Sequence, residues 1–205
     1  MTDPFGVILA GGLSSRMGGG DKGLLDLDGR SILGHVVDRL APQCGAMALN
    51  ANGDPARFAD LGLPVLADSI DGFVGPLAGV LAGLDWAAGE GAEMIVTAAA
   101  DTPFFPETLV ADLMQAADGM AAPLALAATR DPESGKLWRQ PTFGLWPVAL
   151  RDDLRAALEG GLRKVVIWTD QHGARTVEFP MGQVDPFFNV NTPEDLDTAR
   201  QLAQG

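Results

Sequence analysis

"VILAGGLSSRMGGGDKGLLDLDG", from Val7 to Gly29, holds seven glycines and two isolated basic residues, Arg16 and Lys22. The apolar run that leads into it, "GVILA", reads as a buried strand. The segment after it, "SILGHVVDRLAPQ", reads as a helix with Ser31 as N-cap and Ile32, Leu33, Val36, Val37 and Leu40 on one face. Strand, glycine-rich loop and helix form an opening unit of the kind that builds parallel α/β sheets.

The alternation continues along the chain. Strands are expected at "AMALNAN" and "LPVLAD", with an irregular turn or short helix, "DPARFADLG", between them. "GPLAGVLAGLDWAAG" suits a helix lying close to a sheet, with Pro76 in its first turn, although glycines inside a helix weaken it. "AEMIVTAAAD" is the clearest central strand and ends at Asp101; the helix that follows opens at Pro106 and Glu107. This order predicts a mostly parallel sheet covered by helices on both faces. In the second half, "MAAPLALAATR" and "WRQPTFGLWP", joined by "DPESGKL", read as two strands and a turn, which introduces an antiparallel segment. Helices are expected from Ala149 to Glu159 and from Leu162 to Thr169, then a strand at "ARTVEFP". The last helix begins "TPEDLDTARQLA", with Thr192 and Asp195 as a capping pair and Pro193 in the first helical position. With 205 residues and no repeat or linker, a single domain over residues 1–205 is expected.

Composition narrows the function. The chain is 47% apolar and 20% charged, and no apolar run approaches the roughly 20 residues of a membrane span. The start, "MTDPFGVILAGG", lacks the features of a secretory signal, so a cytoplasmic location is expected, with no membrane partner. A net charge of −13 argues against nucleic acid as a partner. It leaves a phosphate ligand open, because a Debye length of about 8 Å isolates a triphosphate from distant carboxylates. Cys44 is the one cysteine and is expected to pack. His35 and His172 have no metal-ligand spacing, and burial is the expected use of Trp86, Trp138, Trp146 and Trp168.

Open parallel sheets bind ligands beyond the carboxyl ends of their strands, which is where the opening loop lies. Its glycines let backbone N–H groups curl around an anion, and Arg16 and Lys22 add charge, which together suggest a polyphosphate. The P-loop pattern G-x-x-x-x-G-K-[ST] is not met, since Gly23 follows Lys22 and the magnesium-binding hydroxyl is lost.

With the distant segments added, the chain resembles the molybdenum cofactor guanylyltransferase family. The motifs that carry the resemblance are "LAGG…RMG…DKGLL", "NAN" at Asn50 to Asn52, "LAD" at Leu66 to Asp68, "GPLAG" at Gly75 to Gly79, "DTPF" at Asp101 to Phe104 and "FFNVNTPEDL" at Phe187 to Leu196. They span nearly the whole chain. The resemblance implies a Rossmann-like α/β fold of the nucleotide-diphospho-sugar transferase type. It also implies transfer of GMP from GTP to the terminal phosphate of molybdenum-loaded molybdopterin, with pyrophosphate released and Mg2+ as cofactor. Further partners it implies are the enzyme that supplies the loaded cofactor and the apo-molybdoenzymes that receive the product.

Matching positions place Leu9, Ala10, Gly11 and Gly12 against the nucleotide and Lys22 on its phosphates; Arg16, from the same loop, is added as a second phosphate contact. Asp101 is the expected magnesium ligand; capping the "DTPFF" turn is its alternative use. Arg16, Lys22 and Asp101 are thus the catalytic candidates. Asn50 and Asp68 match nucleotide contacts, and a carboxylate at Asp68 can accept from guanine N1–H and the 2-amino group or from ribose hydroxyls. For molybdopterin the candidates are Asn189, Asn191, Arg163 and Lys164, with Arg139 to Thr142 lining the pterin pocket; Asn191 can instead help to cap the last helix. Competing readings are a cytidylyltransferase, disfavoured by "LAGG" where those relatives tend to "LAAG", a sugar-phosphate nucleotidyltransferase, and a non-catalytic cofactor-delivery module.

Overall fold

The computed structural model describes residues 2–11, 22–70, 72, 75–182 and 184–203. The chain runs through β1 (Phe5–Leu9), a short hairpin of β2 (Asp26–Leu27) and β3 (Arg30–Ser31), α1 (Ile32–Leu40), β4 (Met47–Asn50), a 3-10 segment (Pro55–Leu61), β5 (Val65–Leu66) and α2 (Pro76–Gly89). It continues through β6 (Met94–Ala99), α3 (Leu109–Ala117), β7 (Ala125–Arg130), β8 (Leu137–Pro147), α4 (Arg151–Glu159), α5 (Val165–Gln171), β9 (Arg175–Phe179) and α6 (Pro193–Ala203).

Seven strands share one sheet in the order β5-β4-β1-β6-β8-β7-β9. β1 pairs in parallel with both β4 and β6, and β4 with β5. The antiparallel element is the single strand β8, inserted between β6 and β7. β9 then lies parallel to β7. The expected mostly parallel α/β sheet with an antiparallel segment is therefore present. Helices α1 and α3 cover one face, where Ile8, Val96, Phe105, Phe143 and Phe187 are buried. Helices α2, α4 and α5 cover the other, where Val7, Ile95, Trp146 and Trp168 are buried. α6 packs separately: its Ala199 is buried with Leu27 and Ile32 of the hairpin and α1. Among the described residues no helix is long and apolar enough to cross a membrane.

Local chemistry sets the helix starts. Ser31 Oγ accepts from the Gly34 N–H at 3.0 Å, as an N-cap does. Thr192 Oγ1 accepts from the Asp195 N–H, and Asp195 Oδ2 accepts in return from the Thr192 N–H at 2.8 Å, a reciprocal capping pair. α5 starts at Val165, later than the expected Leu162. The Leu158 carbonyl accepts from the Gly161 N–H and the Ala157 carbonyl from the Leu162 N–H, so residue 162 still closes α4. Arg163 and Lys164 consequently sit in a link, with Lys164 extended at the N-cap of α5, and not in a helical first turn.

The glycines inside α2 mark contact, not weakness. A Cβ on Gly83 would meet Val7 Cγ2 at 2.8 Å and Ile95 Cδ1 at 3.0 Å, and one on Gly79 would meet Asn50 Oδ1 at 2.2 Å. Alanine would gain about 1 kcal/mol of helix propensity. Overpacking against β-branched side chains costs about 1–3 kcal/mol, so the clash wins. Gly83→Ala is expected to lower the urea midpoint, and a variant at least as stable as the parent would contradict this packing.

Of the tryptophans, Trp146 and Trp168 are buried, and Trp146 Nε1 donates to the buried Thr97 hydroxyl at 2.8 Å. Trp86 is half-buried against Phe5, with ring centroids 5.1 Å apart. Trp138 departs from the expected burial: it is 51% exposed, with the Lys136 ammonium 3.6 Å from its ring centroid. At the start of β8 it offers its face to a cation. His35 Nε2 donates to the Leu27 carbonyl at 2.7 Å, and His172 Nε2 meets Asp153 Oδ1 at 2.7 Å, both structural uses. Cys44 packs as expected, its thiol donating to the Leu40 carbonyl; burial, with Asp3 adding to it, pushes its pKa up to about 12. At pH 8 that leaves a thiolate fraction about 10³-fold below that of a free cysteine. Iodoacetamide is expected to label the native protein slowly and the unfolded protein at an ordinary rate; equal rates would contradict the packing.

Candidate functional site

A cavity of about 370 Å³ opens at the carboxyl ends of the parallel strands, within the size range of small-molecule sites. Leu9, Ala10 and Gly11 reach it from the end of β1, Asn50 from β4 and Asp68 from just beyond β5. Ala99, Ala100 and Asp101 reach it from β6, and Thr142 from β8. Lys22 and Asn191 line the same space, although 169 residues separate them in the chain. The structure thus gathers most of the expected nucleotide residues in one place. Gly12 and Arg16 lie outside the described residues.

The Lys22 end is assembled by close packing. Gly23 lets the lysine's turn rest on its neighbours: a Cβ there would meet Leu33 Cβ at 3.2 Å and the Ala100 carbonyl at 3.5 Å. Lys22 Nζ donates to Asn191 Oδ1 at 3.1 Å. The Val190 N–H donates to the Asp101 carbonyl at 2.9 Å, so the segment carrying Asn189 and Asn191 lies along the end of β6. The buried Thr102 hydroxyl stands between Asp101 Oδ1 and Asn189 Oδ1, with its one proton available to either. Thr192 and Asp195 cap α6, and Asn191 helps only through its backbone N–H, which donates to Asp195 Oδ2 at 2.9 Å; its side-chain amide oxygen faces Lys22.

Burial pushes the Asp101 carboxyl above the ordinary aspartate range. The Thr102 hydroxyl, the residue's own backbone amide and the Lys22 charge each pull the other way without cancelling it. Such a carboxylate is under-compensated by the protein and suited to a cation. Among the described residues no group of three or more His, Cys, Asp or Glu side chains could hold a metal by itself. One carboxylate beside an anion site is nevertheless the donor set that suits Mg2+, which relies on substrate phosphates and water for its remaining positions. Asp101 therefore fits the implied ion.

At the opposite end, Asp68 is held by two amides. Asn50 Nδ2 donates to its Oδ1 at 2.9 Å and Asn52 Nδ2 to its Oδ2 at 2.8 Å. Asn50 is buried and also donates to the Leu66 carbonyl at 3.1 Å, which ties β4 to β5. Phe58, from the 3-10 segment, and Pro76, at the start of α2, supply apolar wall. Sequence reasoning did not single out Phe58, Thr102 or Asn52. Asn52 lay in the quoted "NAN", and the alternation Asn50, Ala51, Asn52 was its available signal.

The residues 6–174 match the model of the MobA-like NTP transferase domain. A molybdenum cofactor guanylyltransferase of Rhodopseudomonas palustris (strain BisB5) is 54% identical over 96% of this chain and 92% of its own length. The chain belongs to the molybdenum cofactor guanylyltransferase family. That membership makes it a nucleotidyltransferase. Another member of the guanylyltransferase family, from Mesorhizobium japonicum, is 49% identical over 98% of this chain and 97% of its own. Two crystal structures share the fold at low identity. Molybdopterin-guanine dinucleotide biosynthesis protein A from Archaeoglobus fulgidus has a TM-score of 0.69 at 21% identity, covering 98% of each chain. A 4-diphosphocytidyl-2C-methyl-D-erythritol synthase from Anaerococcus prevotii has a TM-score of 0.76 at 14% identity, covering 100% of this chain and 99% of its own. The fold is thus of the nucleotide-diphospho-sugar transferase type.

Not every expected position of the guanylyltransferase site converges. Arg163 Nη1 donates to the Leu158 and Leu162 carbonyls at 3.2 and 2.8 Å, closing the end of α4, and Lys164 is exposed. Neither lines the cavity. Arg139 pairs with Asp170 of α5 at 2.5 Å, while Thr142 of the same strand does reach the cavity.

Proposed function

We propose that this chain transfers GMP from GTP to the terminal phosphate of molybdenum-loaded molybdopterin, releasing pyrophosphate and forming molybdopterin guanine dinucleotide. The observation that carries the reading is one cavity with a held carboxylate, Asp68, at one end and the Lys22–Asp101–Asn191 group at the other. β5 and β6 are three strand intervals apart in the sheet, about 14 Å. That span suits a base edge at Asp68 with the α-phosphate near Asp101; ribose hydroxyls, one ring away from the phosphate, would fall nearer β1.

In the reaction an oxygen of the molybdopterin phosphate bonds to the α-phosphorus, the bond from that phosphorus to the bridging oxygen breaks, and its electron pair leaves on pyrophosphate. No protein nucleophile is required. Lys22 holds phosphate oxygens and offsets charge on the leaving group, and Asn191 fixes the lysine's direction so that little reorganisation remains. Asp101 would hold Mg2+, which would supply charge neutralisation to the phosphates. Asp68 reads the base. Asn191, which lines the cavity, is assigned to the acceptor; Asn189, whose Oδ1 meets the Thr102 hydroxyl outside the cavity lining, is assigned to it by the resemblance, as Arg16 is to the phosphates and Gly12 to the nucleotide. The assignment of Arg163 and Lys164 to the acceptor rests on the resemblance, without support from the cavity.

The reaction is proposed for a single catalytic unit of residues 1–205 in the cytoplasm, with the loaded cofactor received from one enzyme and the product passed to apo-molybdoenzymes. The test is the mass of the product formed from GTP, Mg2+ and molybdenum-loaded molybdopterin. A guanine dinucleotide with stoichiometric pyrophosphate is expected; an unchanged acceptor would overturn the reading.

A further inference from the structure

We propose that Asn52 is a positioning residue for base selection, holding the Asp68 carboxylate in the orientation that accepts the two adjacent donors of guanine. The inference rests on the preceding assignment of Asp68 to the base.

Asn52 does not line the cavity and is exposed, so it acts through Asp68. Its side-chain amide is used at both ends on that one residue. Nδ2 donates to Asp68 Oδ2 at 2.8 Å, and Oδ1 accepts from the Asp68 backbone N–H at 2.9 Å. The two bonds close a ring that fixes the carboxylate relative to its own backbone. Asn50 Nδ2 holds the other oxygen at 2.9 Å, so the plane of the carboxylate is set from two sides. Asn52 is itself tied down: its carbonyl accepts from Arg57 Nη2 at 2.6 Å, and Arg57 Nε donates to the Asp54 carbonyl at 2.9 Å.

An ionised carboxylate has about four acceptor positions. Two are taken by the asparagine amides, which leaves one on each oxygen. Guanine presents two neighbouring donors, N1–H and the 2-amino group, to such a pair. Adenine and cytosine offer a donor beside an acceptor, and uracil a donor between acceptors. Hypoxanthine keeps N1–H and lacks the amino group, so ITP isolates the second contact. A carboxylate free to turn about its Cβ–Cγ bond keeps one good contact more readily than two. Loss of Asn52 should therefore penalise GTP more than ITP.

The experiment is calorimetric binding of GTP and ITP to the full chain with Mg2+ and no acceptor, for the parent, Asn52→Ala, Asn52→Asp and Asp68→Ala. The parent is expected to prefer GTP by about 10-fold or more, as for a hydrogen bond to a charged group. Asn52→Ala should weaken GTP about 10-fold, weaken ITP by less than about 3-fold, and so remove most of the preference. Asn52→Asp, nearly isosteric but without the donor and with like charge facing Asp68, should do the same or more. A purely structural role would weaken both nucleotides equally. If both Asn52 variants kept the parent's GTP preference while Asp68→Ala lost it, the positioning role would be overturned and the base assignment would stand. If Asp68→Ala kept that preference and instead lost discrimination between GTP and 2′-deoxy-GTP, Asp68 would be a ribose contact, and both readings would fall.

Discussion

Asp101→Ala lowers kcat for nucleotidyl transfer by about 10²-fold or more with the fold intact, the scale of removing one preorganised electrostatic contact. The structure supplies the reasons. Asp101 lies two residues beyond the fully buried strand β6, whose packing sets where the turn that carries it begins. Its carboxylate meets the Thr102 hydroxyl and the Lys22 charge, yet burial still raises its pKa. Its alternative use, capping the turn, predicts loss of stability and little loss of rate. Asp101→Asn separates the two roles, because the amide keeps the shape and removes the charge. A raised folded-state pKa means that the folded protein binds this proton more tightly than the unfolded chain does. The associated stability is present below the ordinary aspartate value and is lost as pH rises through the raised one. Asp101→Asn should therefore be at least as stable as the parent at pH 7 by thermal melting while losing the same 10²-fold or more in kcat. The parent's acid limb in kcat/KM should lie above the ordinary aspartate value and move to lower pH as Mg2+ is raised, since proton and metal compete for the same oxygens. Near-normal turnover in either variant would contradict the assignment.

Lys22→Ala is the second large effect, again about 10²-fold or more in kcat. The lysine is held in advance by Asn191 Oδ1 at 3.1 Å and lines the cavity with Asp101. Its removal takes away positive charge where pyrophosphate charge develops, so kcat should fall more than KM rises. The Asp101→Ala/Lys22→Ala double variant should lose less than the product of the single losses, because both groups serve one transition state. A large increase in KM with kcat unchanged would instead make Lys22 a binding contact alone.

Features closed by local hydrogen bonds were legible in the sequence. Ser31 and the Thr192–Asp195 pair cap their helices as their spacing indicates, and "AEMIVTAAAD" supplies the buried strand β6, which stops two residues before Asp101. The motif ends, from Leu9 to Asp101, meet in one cavity because parallel strands bring their carboxyl ends to one edge. What depended on distant partners was not legible. Nothing in "WRQPTFGLWP" says that its strand enters the sheet between β6 and β7, since that neighbour choice is made by packing across the chain. The hairpin of β2 and β3 did have a local signal, Asp28-Gly29, whose residues have φ of 57° and 84°; its two-residue strands were too short to show alternation. The residue types place Arg163 and Lys164 at a helical start, and they do not reveal that the closing bonds of α4 reach past Gly161 and delay α5 to Val165. Asn52 was hidden for a different reason: its side-chain bonds go to Asp68, 16 residues away.

The most direct test of the central claim is pyrophosphate release with each of the four NTPs and Mg2+, with and without molybdenum-loaded molybdopterin. Release from GTP alone, and only when that acceptor is present, is the predicted result. Acceptor-dependent release from CTP in place of GTP, or no release from any NTP by folded protein that still binds the cofactor, would contradict it.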